Sequence, residues 1–280
     1  INYNEIYDQL MQLTLCVYTP SNYIFPSKLQ KYKDLTHNKG ENLTQTGRER
    51  GIQRLMSINL LKRLESSVNS FQLTLTRIKE LIEGTIDAIN RFEKYGSADI
   101  SMYEAPREDW DIDDENTEFF TVGKKVKIEL ADMDWKSWRK ELQQDADVLE
   151  LLTLMVADIT PEHDTKLQEL LRLLDEKITN PINPNNKKVL IFSAFSDTAE
   201  YLYDHVSRYI KDKYGLDTAV ITGSIDGRTT IRGFQATLNN VLTCFSPVSK
   251  DRDVLMPNSR NEIDILIATD CISEGQNLQD

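Results

Sequence analysis

The segment that most constrains the fold of this chain is Ile263 to Asp280, which reads IDILIATDCISEGQNLQD. It begins with a short apolar run that has little polar interruption, the pattern of a strand buried on both faces of a parallel sheet. Thr269 and Asp270 break the run where this strand should end. Because ligands of open α/β sheets lie just outside the carboxyl ends of the strands, the segment predicts a ligand-contacting loop.

Two further apolar runs precede this segment, and a helical pattern follows each of them. The first helix should be capped by Ser196 or Asp197 and should end at Gly215, and the second should cover residues 228–241. Alternating strands and helices are typical of half of a doubly wound α/β domain. We therefore predict that three strands are parallel neighbours in one sheet with helices on both faces. The predicted strands are residues 188–194, 218–222 and 263–268.

The chain before this α/β part carries mainly helical patterns. Apolar residues recur every three or four positions over residues 48–94, which predicts one long helix or two nearly collinear ones. Shorter helices are predicted over residues 3–18, 134–158 and 161–179, the last with Thr160 as its N-cap. Residues 97–118 are rich in Asp and Glu and predict an exposed acidic loop rather than a metal site.

Composition limits the kind of partner and compartment. The net charge of −12 opposes loose attraction to nucleic acid, so any such contact must be local. Three isolated cysteines without a CxxC pair favour a reducing compartment and argue against zinc. The sequence has no apolar run of about 20 residues and no signal peptide, so we expect no membrane contact and a cytoplasmic location. Because it begins with Ile1, we expect it to be part of a longer protein.

Four stretches resemble superfamily 2 helicases and translocases of the SWI/SNF type. Residues 263–280 resemble motif V of that family. KVLIFSAFSDTAEYL resembles motif IV, and ITGSIDGRTTIRGF resembles the block that follows it. LLKRLESSVNSFQLTL is similar to the helical block between the two RecA-like lobes of bacterial members. The motif V match is carried by Thr269, Asp270, Glu274, Gly275, Asn277, Leu278 and Gln279.

The resemblance implies an α/β fold: a partial RecA-like parallel sheet domain, of the P-loop NTPase type, preceded by a mainly helical region. Residues 1–95 would form the helical inter-lobe region, and residues 96–133 an acidic loop or linker. Residues 134–186 would be helices that lead into the second lobe, and residues 187–280 the incomplete second lobe.

The resemblance also implies two sets of site residues and no catalytic or metal-binding residue. Hydroxyls and amides at strand ends would contact nucleic-acid phosphates, and glycines would let the backbone approach. The nucleic-acid-binding set is Ser193, Thr222, Gly223, Arg228, Thr269 and Asp270. The nucleotide-cleft set is Glu274, Gly275, Asn277 and Gln279.

The implied activity of the intact protein is ATP hydrolysis coupled to movement on duplex DNA, in the cytoplasm of a bacterial-type cell. Its cofactors would be ATP and Mg²⁺, and the first RecA-like lobe, absent here, would be its intramolecular partner. GxxxxGK[ST], a DExx strand and the motif VI arginines are missing from these residues. We therefore expect no bound cofactor and no ATP hydrolysis by these residues alone.

Two other functional classes are compatible with the sequence. One is a non-catalytic interaction module in which a helical arm and an α/β domain bind protein. The other is a Rossmann-like transferase, which is disfavoured because no Gly-rich phosphate loop follows the strand over residues 189–194.

Overall fold

The computed structural model describes residues 3–33, 45–96, 99–101, 127–223, 227–269, 272 and 277–278. The chain divides into two compact units, the first formed by residues 1–110 and 116–158 and the second by residues 111–115 and 159–280. The fold class is α/β, mainly helical, with a small mixed sheet whose strands are mostly parallel.

The first unit is built from helices and one short strand pair. Strands β1 and β2 are antiparallel, with Ile100 opposite Ile128. The helices are α1 (Tyr3–Leu10), α2 (Leu29–Lys33), α3 (Gln45–Ser66), α4 (Val68–Tyr95) and α5 (Trp135–Val156), and the strands are β1 (Asp99–Ser101) and β2 (Lys127–Glu129).

A single residue separates α3 from α4. Ser67 has extended backbone angles, with φ −156° and ψ 149°, and its side chain accepts a hydrogen bond from the backbone N–H of Ser70. This is an N-cap, which satisfies a backbone donor that the first turn of α4 cannot pair internally. An extended residue between two helices redirects the chain, so α4 does not continue the axis of α3.

Contacts with α5 show that α3 and α4 run in opposite directions. The turn over residues 20–23 donates hydrogen bonds to Glu49, near the start of α3, and stacks its tyrosine on Trp138, near the start of α5. At the other end of α5, Gln72 of α4 donates to the carbonyl of Val156. The start of α3 and the start of α4 therefore lie at opposite ends of α5. The predicted collinear arrangement is wrong, and the two helices form a hairpin.

The first helix ends at Leu10 rather than at residue 18, because the residues after it bond to α5. The carboxylate of Asp145, only 1% exposed, accepts hydrogen bonds from the backbone N–H of Thr14 at 2.7 Å and of Cys16 at 3.0 Å. The indole N–H of Trp138 donates to the carbonyl of Cys16 at 3.1 Å. Burial, together with the nearby charge of Asp145, raises the pKa of the Cys16 thiol to about 12. The thiol is therefore protonated at neutral pH.

The second unit holds a four-stranded sheet in the order β3-β6-β4-β5. Strands β3 and β4 both pair in parallel with β6, and β5 pairs antiparallel with β4. The prediction that the three apolar runs are parallel neighbours is confirmed. The strands are β3 (Val189–Phe192), β4 (Thr218–Ile221), β5 (Arg228–Thr229) and β6 (Ile265–Ala268), and the helices are α6 (Thr165–Thr179), α7 (Ser196–Tyr214), α8 (Leu238–Phe245) and α9 (Arg252–Leu255).

Helices pack on both faces of this sheet, as predicted. Because strand side chains alternate between faces, neighbouring residues of β4 and β6 enter different clusters. Val220, Ile265 and Ile267 pack with buried residues of α6 and α7. Ala219, Ile221, Leu266 and Ala268 pack with Val241, Leu242 and Phe245 of α8.

Carboxylates of α6 attach it to α7. Asp175 accepts hydrogen bonds from Tyr209 at 2.6 Å, Lys213 at 2.7 Å and Tyr214 at 2.8 Å. Asp164 caps the start of α6 and also accepts from the Tyr201 hydroxyl at 2.9 Å. The predicted N-cap, Thr160, lies in the turn before this helix. Its carbonyl accepts the N–H of Asp164, which moves the helix start to Thr165.

Two predicted element boundaries after β3 are wrong. Helix α7 begins at Ser196 with Phe195 at the N-cap position, so neither Ser196 nor Asp197 caps it. The helix ends at Gly215 as predicted, and this glycine has a φ of 69°. Residues 228–241 do not form one helix, because Arg228 and Thr229 pair with β4 and α8 begins only at Leu238. β-branched threonines favour the strand at this point.

Candidate functional site

Three hydroxyl-bearing residues stand side by side where the parallel strands end. β3, β6 and β4 end in register. The N–H of Ser193 donates to the last carbonyl of β6 at 2.9 Å, and the N–H of Thr269 donates to the last carbonyl of β4 at 3.2 Å. Adjacent strands lie about 4.8 Å apart, so the next residues form a row across the carboxyl edge of the sheet. We call Ser193, Thr269 and Thr222 the hydroxyl row.

The side chains of the hydroxyl row are buried. Ser193 is 8% exposed, Thr222 7% and Thr269 0%. The Ser193 hydroxyl donates to the carbonyl of Phe195 at 3.0 Å and accepts from its N–H at 3.2 Å, which closes the turn before α7. In this conformation the Ser193 hydroxyl is used by its own turn. A direct contact between Thr269 and a ligand requires its neighbours to move.

Two helices begin beside the hydroxyl row, one on each face of the sheet. Helix α7 begins at Ser196, directly after β3. Helix α8 begins at Leu238, and the carbonyl of Ala236 just before it lies against Gly227 and close to Ile221 at the end of β4. The N-terminal end of a helix carries a positive partial charge and favours anions. The carboxyl edge therefore combines backbone donors, hydroxyls and two helix N-termini.

Gly227 is needed for this arrangement, and the sequence analysis did not single it out. A Cβ atom at this position would overlap the backbone carbonyl of Ala236 and would lie 2.5 Å from Cδ1 of Ile221. Only a glycine allows the return from β4 to β5 to pass so close to the segment that leads into α8. The Asp226–Gly227 pair is a sequence signal typical of turns that could have indicated it.

Arg228 does not point freely into solvent. Its guanidinium forms ion pairs with Glu200 and, at 3.2 Å, with Asp204, both on α7, and lies 4.7 Å from the ring centroid of Tyr203. Burial raises the pKa of Glu200, whose Oε1 is buried and has no hydrogen-bond partner in the part of the chain that the structure describes. Arg228 is opposite Val220, two residues before the hydroxyl row. The charge of this predicted phosphate ligand is therefore compensated by two carboxylates of the same unit.

The remaining predicted site residues divide into two groups. Gly223 and Asn277 are exposed, and Leu278 packs against the cluster formed with α8. Gly223 follows Thr222 directly and so lies beside the hydroxyl row. The other four predicted residues, Asp270, Glu274, Gly275 and Gln279, lie outside the described residues.

No family model, curated protein or solved structure matches this chain. Within the part of the chain that the structure describes, no group of three or more His, Cys, Asp or Glu side chains could hold a metal ion. No helix in that part is both long enough and apolar enough to cross a membrane.

A concave surface lies between α6 and α7, away from the hydroxyl row. It is an open groove of about 460 Å³. Its lining includes acidic side chains, among them Asp204 and Asp212, and basic ones, Arg208 and Lys213. Because the two signs are interspersed, the groove does not favour a ligand of either charge.

Proposed function

We propose that this chain is the inter-lobe helical region and part of the second RecA-like lobe of an ATP-dependent DNA helicase or translocase of the SWI/SNF type. The observation that carries the proposal is the hydroxyl row, because it brings residues from three separate motif-like stretches to one edge of one sheet. Family-like motifs that lay on unrelated surfaces would not have supported it. The helices on both faces of the sheet are a further argument for the same assignment.

The proposed ligand of this edge is the phosphate backbone of duplex DNA. Binding without sequence readout depends on donors directed at phosphates, which backbone N–H groups, hydroxyls and helix N-termini supply. Gly223 is exposed beside the row and lets a phosphate approach the main chain. A net charge of −12 means that such binding is confined to this edge and is sensitive to salt.

ATP and Mg²⁺ belong to the proposed intact protein, and of the nucleotide-cleft set only Asn277 lies within the described residues. In P-loop enzymes a glycine-rich loop after a strand holds the phosphates. Here the residues after β3 form a turn closed by the Ser193 hydroxyl on Phe195, which is not such a cradle. The phosphate-binding loop of the proposed enzyme would therefore be supplied by the first lobe.

The test compares matched Thr→Val substitutions at the two ends of the sheet. Thr222→Val and Thr269→Val remove hydroxyls from the carboxyl edge. Thr218→Val is the control, because Thr218 is 0% exposed at the start of β4 and its hydroxyl has no hydrogen-bond partner among the described residues. Titration of a fluorescein-labelled DNA duplex should show binding weaker by roughly ten- to a hundredfold for the first two variants and no change for the third, since a hydrogen bond to a charged group contributes about 1.5–3 kcal/mol.

Thermal melts of the same samples show whether each variant is folded at the assay temperature, so that affinities are compared between folded proteins. Equal affinities for all three variants would contradict the assignment of the hydroxyl row. Absence of duplex binding by the wild-type chain at low salt would contradict the proposed function itself.

One observation favours the alternative, a non-catalytic protein-interaction module. The hydroxyl row is buried, and the guanidinium of Arg228 is already paired. A module of this kind would bind no duplex at any salt concentration, so the same titration distinguishes the two functions.

A further inference from the structure

Arg228 and its partners form a compact charged cluster on one side of the second unit. Arg228 lies on β5, close to the carboxyl edge of the sheet, and its guanidinium contacts Glu200 and Asp204. The two acids are four residues apart on α7, so they lie on the same face of that helix. Tyr203 supports the guanidinium from its ring face, with 4.7 Å between the ring centroid and the guanidinium carbon.

These acids occupy the donors that a phosphate would need. The planar guanidinium binds carboxylates and phosphates with the same fork of N–H groups. The side chain of Arg228 is 42% exposed, so an external anion can reach it. The side chain of Asp204 is 59% exposed and can move away, whereas that of Glu200, at 24%, is held closer to the protein.

We propose that Glu200 and Asp204 act as an internal substitute for a nucleic-acid phosphate, holding Arg228 on α7 until the DNA backbone displaces them. The inference rests on the proposed function and adds its regulation, since two acids on α7 set the affinity and salt dependence of the carboxyl edge. Binding then exchanges one charged contact for another. Arg228 adds little net affinity while both acids are present, and its full contribution appears when they are neutralised.

The test measures binding of a fluorescein-labelled DNA duplex over a series of salt concentrations, using the full chain. Glu200→Gln combined with Asp204→Asn should bind about tenfold more tightly than wild type, the contribution expected of one charge-assisted contact. The slope of log affinity against log salt should become steeper by about 0.9, because one more phosphate contact is made. Arg228→Gln in the double-variant background should remove both gains.

Asp212→Asn is the matched control, because it removes one negative charge from an exposed position farther along α7. It should change affinity much less than Asp204→Asn does, and it should leave the salt slope unchanged. A similar gain from Asp212→Asn, or a gain that persists after Arg228→Gln, would mean that only net charge matters and would overturn this inference alone.

Other outcomes separate the inference from the function on which it rests. If wild type binds the duplex and the double variant binds it equally well, the inference fails and the proposed function stands. If neither binds at the lowest salt concentration, both fail. Should the half-buried Glu200→Gln change prevent folding, the exposed Asp204→Asn variant alone carries the comparison, with a gain expected in the same direction.

Discussion

Replacing Gly227 by Ala tests the backbone path that places Arg228 against α7. The added Cβ would overlap the backbone carbonyl oxygen of Ala236 and would lie 2.5 Å from Cδ1 of Ile221. The methyl end of Ile221 can rotate away, but the backbone of Ala236 can yield only if the segment leading into α8 moves. Overpacking of this kind costs about 1–3 kcal/mol, and the lower entropy of the unfolded alanine chain offsets about 0.4–1 kcal/mol. We therefore expect a net destabilisation of about 1–2 kcal/mol.

Amide hydrogen exchange followed by mass spectrometry can localise this loss. A destabilisation of 1–2 kcal/mol corresponds to a change of roughly 5- to 30-fold in the opening equilibrium, so peptides that cover β4, β5 and α8 should exchange faster by that factor. Gly84→Ala is the control. It lies within α4 with nothing near its added Cβ, so it should slow exchange in α4, because alanine is favoured over glycine in a helix by about 1 kcal/mol.

Unchanged exchange of the β4, β5 and α8 peptides in Gly227→Ala would refute the reasoning. It would mean that the return from β4 to β5 does not pass beside Ala236. The position of Arg228 against α7 depends on the same return, so the inference about its two acids would lose its structural basis as well.

Two further predictions concern the first unit, which contains Trp135 and Trp138 and can be followed by tryptophan fluorescence during urea unfolding. Asp145→Asn should lower the free energy of unfolding by about 1.5–3 kcal/mol, because buried backbone donors lose a charged acceptor. The control is Asp147→Asn, at an exposed position on the same helix, which should change this free energy by less than about 0.5 kcal/mol. Equal effects of the two substitutions would contradict the role of Asp145. Hydrogen bonds from Lys31 and Tyr32 lower the pKa of Asp132 from 3.8 to about 2. The Asp132 carboxylate therefore stabilises the fold above a pH of about 4, and this stabilisation is lost as the pH falls toward about 2. If the free energy of unfolding of Asp132→Asn fell with acid as steeply as that of wild type, this role of Asp132 would be contradicted.

The parallel sheet could be predicted because its strands consist mainly of apolar residues, which indicate burial. The runs VLIF and ILIA are apolar on both faces, a pattern typical of strands covered on both sides. The central strand β6 buries all four of its residues, whereas β3, at the edge of the sheet, is only partly buried and its Phe192 is 50% exposed. The hydroxyl row followed from the same runs, since the carboxyl ends of parallel strands meet at one edge. The loop after Thr269 was equally prominent in the sequence, but most of it lies outside the described residues.

Features that depend on distant partners could not be predicted. Asp145 looked like one more acid on a helix, and its role appears only when Thr14 and Cys16 are placed against it. Arg228 begins a stretch with enough polar residues to suggest a helix, yet pairing with Val220 draws it into a strand. The ion pairs of Arg228 with Glu200 and Asp204 of α7 depend on the tertiary structure, which no local sequence pattern indicates.

The central position of β6 determines when the second unit can fold during synthesis. β3 and β4 each pair with β6 and not with each other, and β6 is the last of these strands in the chain. Until the ribosome has made residues 265–268, the apolar strands β3 and β4 have no parallel partner and their edges are open to other chains. At roughly 5–20 residues per second this interval lasts several seconds, long enough for a chaperone to engage the nascent chain. Nascent chains arrested before β6 should therefore remain sensitive to protease in β3 and β4 and acquire protection only after β6 has emerged.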